Sequence, residues 1–289
     1  MLFNMSILIP IDYLITGIYD LLMKVRTVPI YPEPALLLIN EQNGLSAKRY
    51  IVVSDLHLGF ENTLDTRGIF IDSNLYLTET INELVRLIHS YKPEAVILLG
   101  DLKSTVGHIN KDEWKNVPYF LDVISSYIDI YFIPGNHDAN IRFLIPDYVN
   151  VFSMNGMLLN DTLLLHGHTM PSNARLSTVK RIIMGHIHPV FLKQGSVLSG
   201  QRVWLYFKAK KWALSPMNMT SMSQDNELVE IVVIPAFNRY LYALSKKQFK
   251  KSISPIINRI LLKNAVEEAY ITTLDGSLIG DINSLHNVV

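Results

Sequence analysis

Three stretches decide the fold: Tyr50-Ile-Val-Val-Ser-Asp-Leu-His57, Ala95-Val-Ile-Leu-Leu-Gly-Asp101 and Ile128-Asp-Ile-Tyr-Phe-Ile-Pro-Gly-Asn-His-Asp138. Each is a short apolar run of strand length that breaks into Asp, Asn or His at its C-terminal end. Between the first two, Ser73 reads as a helix N-cap, and Leu75, Leu77, Ile81, Leu84, Val85 and Ile88 recur at helical spacing. Between the second and third, Asp112 to Ser125 reads as a further helix. Strand, helix, strand, helix, strand predicts βαβ units and a mostly parallel sheet with polar residues along one edge.

Upstream, Val28-Pro-Ile-Tyr-Pro-Glu-Pro34 is proline-rich and reads as an extended lead-in. Ala35–Ile39 reads as a short strand closed by the turn Asn43-Gly44. Beyond Tyr148 the strands come faster: Val149–Phe152, Met157–Leu159, Thr162–Leu165, Arg181–Met184, Val203–Phe207 and Leu228–Ile234. That spacing predicts a second, more antiparallel sheet. Ala269–Thr273 and Ser277–Ile279 flank Asp275-Gly276 and predict a terminal hairpin. Met217 to Asn226 reads as a loop, and Ser245-Lys-Lys-Gln-Phe-Lys-Lys251 as a solvated basic helix face. The expected class is α/β: a four-layer αββα sandwich of two mixed sheets flanked by helices.

The chain has 289 residues, 49% hydrophobic and 18% charged, enough for one large core. Its 26 basic and 26 acidic residues cancel, so no global field draws it to nucleic acid. It has no cysteine, which excludes disulfides and thiolate metal sites and favours a cytoplasmic setting. Met1 to Leu22 is apolar but carries Asp12 and Asp20. A carboxylate at the centre of a spanning helix costs about 2.5–3.5 kcal/mol, so no stable membrane insertion is expected. No basic segment precedes this stretch and no small-residue cleavage site follows it, which argues against a signal peptide. Residues 1–22 are therefore set apart as an N-terminal extension: a helix packed on the domain, the product of a start upstream of Met23, or an anchor. The domain proper is expected over 23–289.

Asp55 and His57 are alternate residues at a strand end, and alternate strand residues share a face. Gly100-Asp101 and Gly135-Asn136-His137-Asp138 add carboxylates, an amide and an imidazole. His166-Gly-His168 follows the apolar run Leu163–Leu165, and Gly185-His186-Ile-His188 follows another. Taken singly, these are helix caps, polar turns and surface histidines. Taken together, they hold six of the nine histidines, each group standing after its own strand-like run. Such a set of nitrogen and oxygen donors predicts a two-metal site, and paired metals suit phosphate-ester chemistry. His89, His108 and His286 stand outside it.

This series resembles the calcineurin-like metallophosphoesterase superfamily, whose blocks are D-x-H, GD, GNH[DE], H and GHxH. Within it the chain is most similar to the ICC-type predicted phosphohydrolases of archaea and bacteria, a group with a ligase-associated DNA-damage-response branch. Tyr31-Pro-Glu-Pro-Ala35, Ser54-Asp-Leu-His-Leu-Gly59, Leu99-Gly-Asp-Leu-Lys103, Ile234-Pro-Ala-Phe-Asn238 and Asp275-Gly276 with Leu278-Ile-Gly280 carry that closer likeness. The resemblance implies that Asp55, His57 and His188 hold one metal, that Asn136, His166 and His186 hold a second, and that Asp101 bridges them. It implies that His137 faces the substrate phosphate and protonates the leaving oxygen, with His168 beside substrate or ligands. Two divalent ions are implied, Mn²⁺ first, with Fe, Zn²⁺ or Co²⁺ compatible. The implied activity is in-line attack of a metal-bridging hydroxide on a phosphodiester, nucleic acid among the candidates. A phosphomonoesterase is the alternative, and a non-catalytic scaffold is disfavoured by the presence of His137. A homodimer through an exposed sheet edge is compatible.

The chain departs from the family at one point. Many relatives extend the second block to GDxxD, and that second Asp supports the catalytic His. Here Ser104 stands there, followed by Thr105 in place of the Arg of protein Ser/Thr phosphatases. That branch is disfavoured, and Asp138 is the nearest carboxylate left to support His137.

Overall fold

Leu36–Asn40 (β2), Lys48–Val53 (β3), Ala95–Leu99 (β4) and Asp129–Ile133 (β5) are the apolar runs of the first half, and they pair side by side. Val25–Pro29 (β1) and Asn150–Val151 (β6) complete a six-stranded sheet in the order β1-β2-β3-β4-β5-β6. Strands β3 to β6 are parallel, and β1 and β2 join antiparallel. The structure is a computed structural model that describes residues 24–41, 46–66, 68–215, 227–241 and 254–288. Residues 1–22, the Asn43-Gly44 turn, the loop from Met217 and the basic run from Ser245 lie outside the described residues.

Parallel neighbours need long crossovers, and helices supply them. Glu61–Asp65 (α1) and Ser73–Tyr91 (α2) link β3 to β4, and Lys111–Ser125 (α3) links β4 to β5. The N-cap of α2 is Asp72 rather than Ser73: its carboxylate accepts the Asn74 N–H at 2.8 Å. Helix α3 starts one residue earlier than expected, on a capping box formed by Asn110 and Glu113. The lead-in read at Val28 belongs partly to β1. Pro29 is tolerated there because β1 is an edge strand and ends at that residue.

The second sheet has seven strands: Met157–Leu159 (β7), Thr162–Leu164 (β8), Arg181–Met184 (β9), Val203–Lys210 (β10), Leu228–Val233 (β11), Val266–Thr273 (β12) and Leu278–Asp281 (β13). Their order is β13-β12-β10-β11-β9-β8-β7, parallel only from β11 through β9 to β8. Asn173–Leu176 (α4) and Pro255–Leu262 (α5) accompany it, two helices that the sequence pattern does not place.

Side-chain alternation builds the layers. Leu36, Leu38, Val52, Ile97 and Leu99 of the first sheet meet Leu164, Ile183, Trp204 and Val232 of the second. Ile51, Val53, Val96 and Leu98 point the other way, onto Leu84, Leu87, Phe120 and Leu121 of α2 and α3. On the far face, Leu163, Ile182, Leu205 and Ile231 pack on Ile256, Ile257 and Ile260 of α5. The result is the expected αββα sandwich. Truncating a fully buried residue such as Leu84 to Ala costs about 2–5 kcal/mol. Among the described residues no helix is long and apolar enough to cross a membrane.

Candidate metal centre

The motifs stand at the C-terminal ends of β3, β4, β5, β8 and β9, along the edge where the two sheets meet. Past the end of β3 the chain still runs beside its neighbour: Asp55 N–H donates to Gly100 O at 3.2 Å and His57 N–H to Asp101 O at 2.9 Å. Asp55 and His57 converge, but not by strand alternation. Strand β3 has ended at Val53, and both residues are left-handed, with φ of 59° and 46°. Asp101, His186 and His188 share that conformation at 51°, 73° and 42°. The left-handed region costs an L-residue about 1–2 kcal/mol. Its concentration on five candidate ligands marks a backbone bent to aim side chains inward.

Two glycines let the sheets approach. A Cβ on Gly100, itself at φ 81°, would lie 2.2 Å from His166 Nδ1 across the interface. A Cβ on Gly185 would lie 1.8 Å from Ser54 Oγ and 2.5 Å from Asp55 Oδ2.

The candidate ligand atoms fall into two groups that share one carboxylate. Asp55, His57, Asp101 and His188 form the first, with atoms within 4.8 Å of one another; Asp101, His166 and His186 form the second. His57 Nε2 and His188 Nε2 face each other at 3.2 Å, with Asp55 Oδ1 3.0 Å from His188 Nε2 and Asp101 Oδ2 3.5 Å from His57 Nε2. His166 Nε2 lies 3.2 Å from Asp101 Oδ2. Asn136 Oδ1 is buried without a hydrogen-bond partner. A buried orphan acceptor beside two buried carboxylates and a cluster of imidazoles is what cations would satisfy, so the residues fit two divalent ions.

Neighbouring groups set each ligand's direction. Ser54 Oγ donates to Asp55 Oδ2 at 2.7 Å, and His186 N–H reaches the same oxygen at 3.1 Å. His166 Nδ1 meets Leu99 O at 2.8 Å, which leaves Nε2 for the site. Asn238, quoted above only for its resemblance, closes the first loop: its N–H donates to Asp55 O at 3.2 Å and its Nδ2 to Leu56 O at 3.0 Å. Arg202 holds that segment through Ala236 O at 2.6 Å and Phe237 O at 3.1 Å. Sequence reasoning gave neither residue a role.

The electrostatics follow. Burial alone would raise the Asp55 carboxyl, but His188 and His166 overcome it and hold it at about 2. Burial likewise opposes ionisation of Asp101, and His166, His57 and His137 hold it well below the usual carboxylate range. Burial pushes His57 down to about 3 and His186 to about 4, the neutral form that ligates. His166 runs against its burial: the Asp101 carboxylate raises it to about 9. To serve as a ligand, His166 would give up this proton.

His137 N–H donates to Asp101 Oδ1 at 2.8 Å, and its Nε2 lies 3.9 Å from Asp101 Oδ2. Its Nδ1 meets Ser104 O at 2.5 Å. The place left by the missing GDxxD carboxylate is thus taken by the main chain at the same position, not by Asp138. Asp138 is buried and staples loops, accepting Leu102 N–H at 3.0 Å, Lys103 N–H at 3.3 Å and Gly135 N–H at 2.7 Å. Burial and the nearby Asp101 push its carboxyl up to about 6. The His168 ring lies tilted 5.4 Å from that of His166 and 6.0 Å from that of His186, and its Nδ1 is buried without a hydrogen-bond partner.

Two adjacent cation sites sharing a buried aspartate, on the meeting edge of two mixed sheets, define a dinuclear-metal hydrolase acting on phosphoester bonds. Residues 48–212 match the family described as Calcineurin-like phosphoesterase, and the chain belongs to it. The crystal structure of the Pseudomonas putida nuclease MPE is similar over 88% of this chain and 98% of its own, with 17% sequence identity and a TM-score of 0.48. No curated protein matched.

Proposed function

We propose that this protein hydrolyses phosphodiester bonds. Asp55, His57 and His188 would hold one cation, Asn136, His166 and His186 the other, with Asp101 between them. When bound, such cations supply Lewis acidity toward phosphate and toward water. The mixed nitrogen and oxygen donors suit Mn²⁺, the working choice, and also Fe, Zn²⁺ or Co²⁺. His137 supplies the proton for the leaving oxygen. With Nδ1 on the Ser104 carbonyl, the transferable proton sits on Nε2, on the side of Asp101 and the ligand cluster.

The charge around the site carries the diester reading. Beyond burial, His188, His166 and the Asp101 carboxylate act on Asp55, and the imidazoles of His166, His57 and His137 act on Asp101. The cation of the second block, Lys103, is buried and turned onto the carbonyls of Thr105 and His108. A phosphomonoester carries about −1.5 to −2 at neutral pH and calls for added guanidinium or ammonium groups. A singly charged diester needs fewer. The likeness to the ICC-type group makes nucleic acid the first natural diester to test.

The test is turnover of bis(p-nitrophenyl) phosphate against p-nitrophenyl phosphate by metal-stripped protein resupplied with Mn²⁺, with Asp101→Asn as control. Preference for the diester, lost in the variant, is expected. Preference for the monoester would move the assignment to a metabolite phosphatase.

A further inference from the structure

We infer that Glu113, with Lys103, positions His137 by building the loop whose carbonyl holds its ring. This rests on the proton-donor role proposed for His137.

A carbonyl oxygen only accepts, so Nδ1 of His137 carries the hydrogen of that contact and Nε2 is the atom turned to the substrate. A side-chain carboxylate in this place would be fixed by its own rotamer. A main-chain carbonyl is fixed only as well as its loop, and residues 104–110 form neither helix nor strand. Buried backbone groups in such a loop need partners that regular structure would otherwise supply.

Glu113 and Lys103 provide them. Glu113 is fully buried, and its Oε1 accepts the N–H groups of Ser104 at 3.0 Å and Thr105 at 2.7 Å. Its Oε2 accepts Asn110 N–H at 2.9 Å and lies 2.6 Å from Thr105 Oγ1. Lys103, also fully buried, donates through Nζ to Thr105 O and to His108 O, the latter at 3.3 Å. Three of the loop's N–H groups thus go to one carboxylate and two of its carbonyls to one ammonium. A helix-capping Glu needs only the Asn110 contact. The bonds to Ser104 and Thr105 exceed that duty and converge on the peptide that faces His137. Ser104 N–H is also within reach of Leu58 O at 3.0 Å, so loss of Glu113 loosens the carbonyl without freeing it.

The experiment uses Mn²⁺-loaded wild type, Glu113→Ala, Glu113→Gln and His137→Ala on two thymidine 5′-phosphodiesters, one releasing p-nitrophenolate and one the poorer leaving group phenolate. A misplaced proton donor hurts the phenyl ester selectively. Glu113→Ala is expected to lower its kcat by about 10–100-fold and that of the nitrophenyl ester by less than about 3-fold, with KM and bound metal unchanged. Glu113→Gln keeps an oxygen for Ser104 and Thr105 and is expected to recover most of the loss. Independently of turnover, ¹⁵N shifts of metal-free wild type in alkaline buffer are expected to show the Nδ1–H tautomer for His137. Mixing of tautomers is expected in Glu113→Ala.

Equal losses on both esters, or an Nε2–H tautomer in wild type, would overturn the positioning role. If Glu113→Ala does not fold, Glu113→Gln and the wild-type tautomer decide. If His137→Ala treats both esters alike, the proton-donor reading fails instead, and the tautomer still reports whether the loop holds the ring.

Discussion

The six-stranded sheet brings the negative charge to this site, and the seven-stranded sheet brings most of the imidazole. Asp55, His57, Asp101 and Asn136 follow β3, β4 and β5, whereas His166, His186 and His188 follow β8 and β9. Each of the two ligand groups mixes members of both sheets. The site is therefore a property of the interface, formed only when the Leu, Ile, Val and Trp204 layer between the sheets has packed. The attraction that pulls Asp55 and Asp101 down and His166 up acts across that interface.

The division of labour breaks most severely at the shared residue. Asp101→Asn removes charge from both groups and is expected to lower turnover by ~10³-fold or more, about 4 kcal/mol. Metal analysis should then find both ions weakened. His186→Ala touches the second group alone, so a loss of about 10²-fold is expected with one ion retained. Equal depletion of metal in the two variants would show that the two groups act as one site.

The approach of the sheets can be tested without touching a ligand. Gly185→Ala drives a Cβ into Ser54 Oγ and Asp55 Oδ2, displacing a carboxylate of the opposite sheet. Metal affinity is expected to fall about 10–100-fold, the usual cost of disturbing the groups that orient ligands. Gly107→Ala, where nothing lies within 4 Å, is the control and should titrate with Mn²⁺ like wild type. An unchanged affinity in Gly185→Ala would mean that the interface yields, and that the close fit is not what aims Asp55.

The same division explains what could be read in advance. Strand β4 and the Ile182–Met184 stretch of β9 are apolar runs because both their faces are buried, and their ends carry the polar motifs in plain order. Helix α5 escaped because eight largely apolar residues show little helical spacing; Ser254 as cap and Pro255 in the first turn were its signals. The conformation of Asp55 and His57 was also hidden, since nothing in Asp-Leu-His marks a left-handed backbone. The support of His137 was out of reach for a related reason. Once the carboxylate is gone, the partner is a carbonyl, which every residue possesses and no motif records.

Glu61 isolates what the imidazoles do. It follows the first motif and is almost as inaccessible as Asp55, but its carboxylate oxygens have no hydrogen-bond partner among the described residues. Burial, reinforced by Asp112, pushes it up to about 7 from 4.5, while Asp55 sits at about 2. Desolvation acts on both in the same direction; His188 and His166 reverse the outcome at Asp55 alone. A raised carboxyl binds its proton more tightly in the folded chain, so the stability it contributes below about pH 4.5 is lost as pH rises through about 7. Glu61→Gln removes that loss and is expected to stabilise the protein by about 1–2 kcal/mol near pH 8, a few degrees in Tm, with little change near pH 4. Asp55→Asn in metal-free protein should run the other way. A depressed carboxyl stabilises above about 3.8 and loses its contribution as pH falls through about 2, so its removal costs stability at neutral pH. Thermal melts of both variants at the two pH values check the pair, and a Glu61→Gln protein less stable than wild type near pH 8 would show that a cation, not burial alone, governs Glu61.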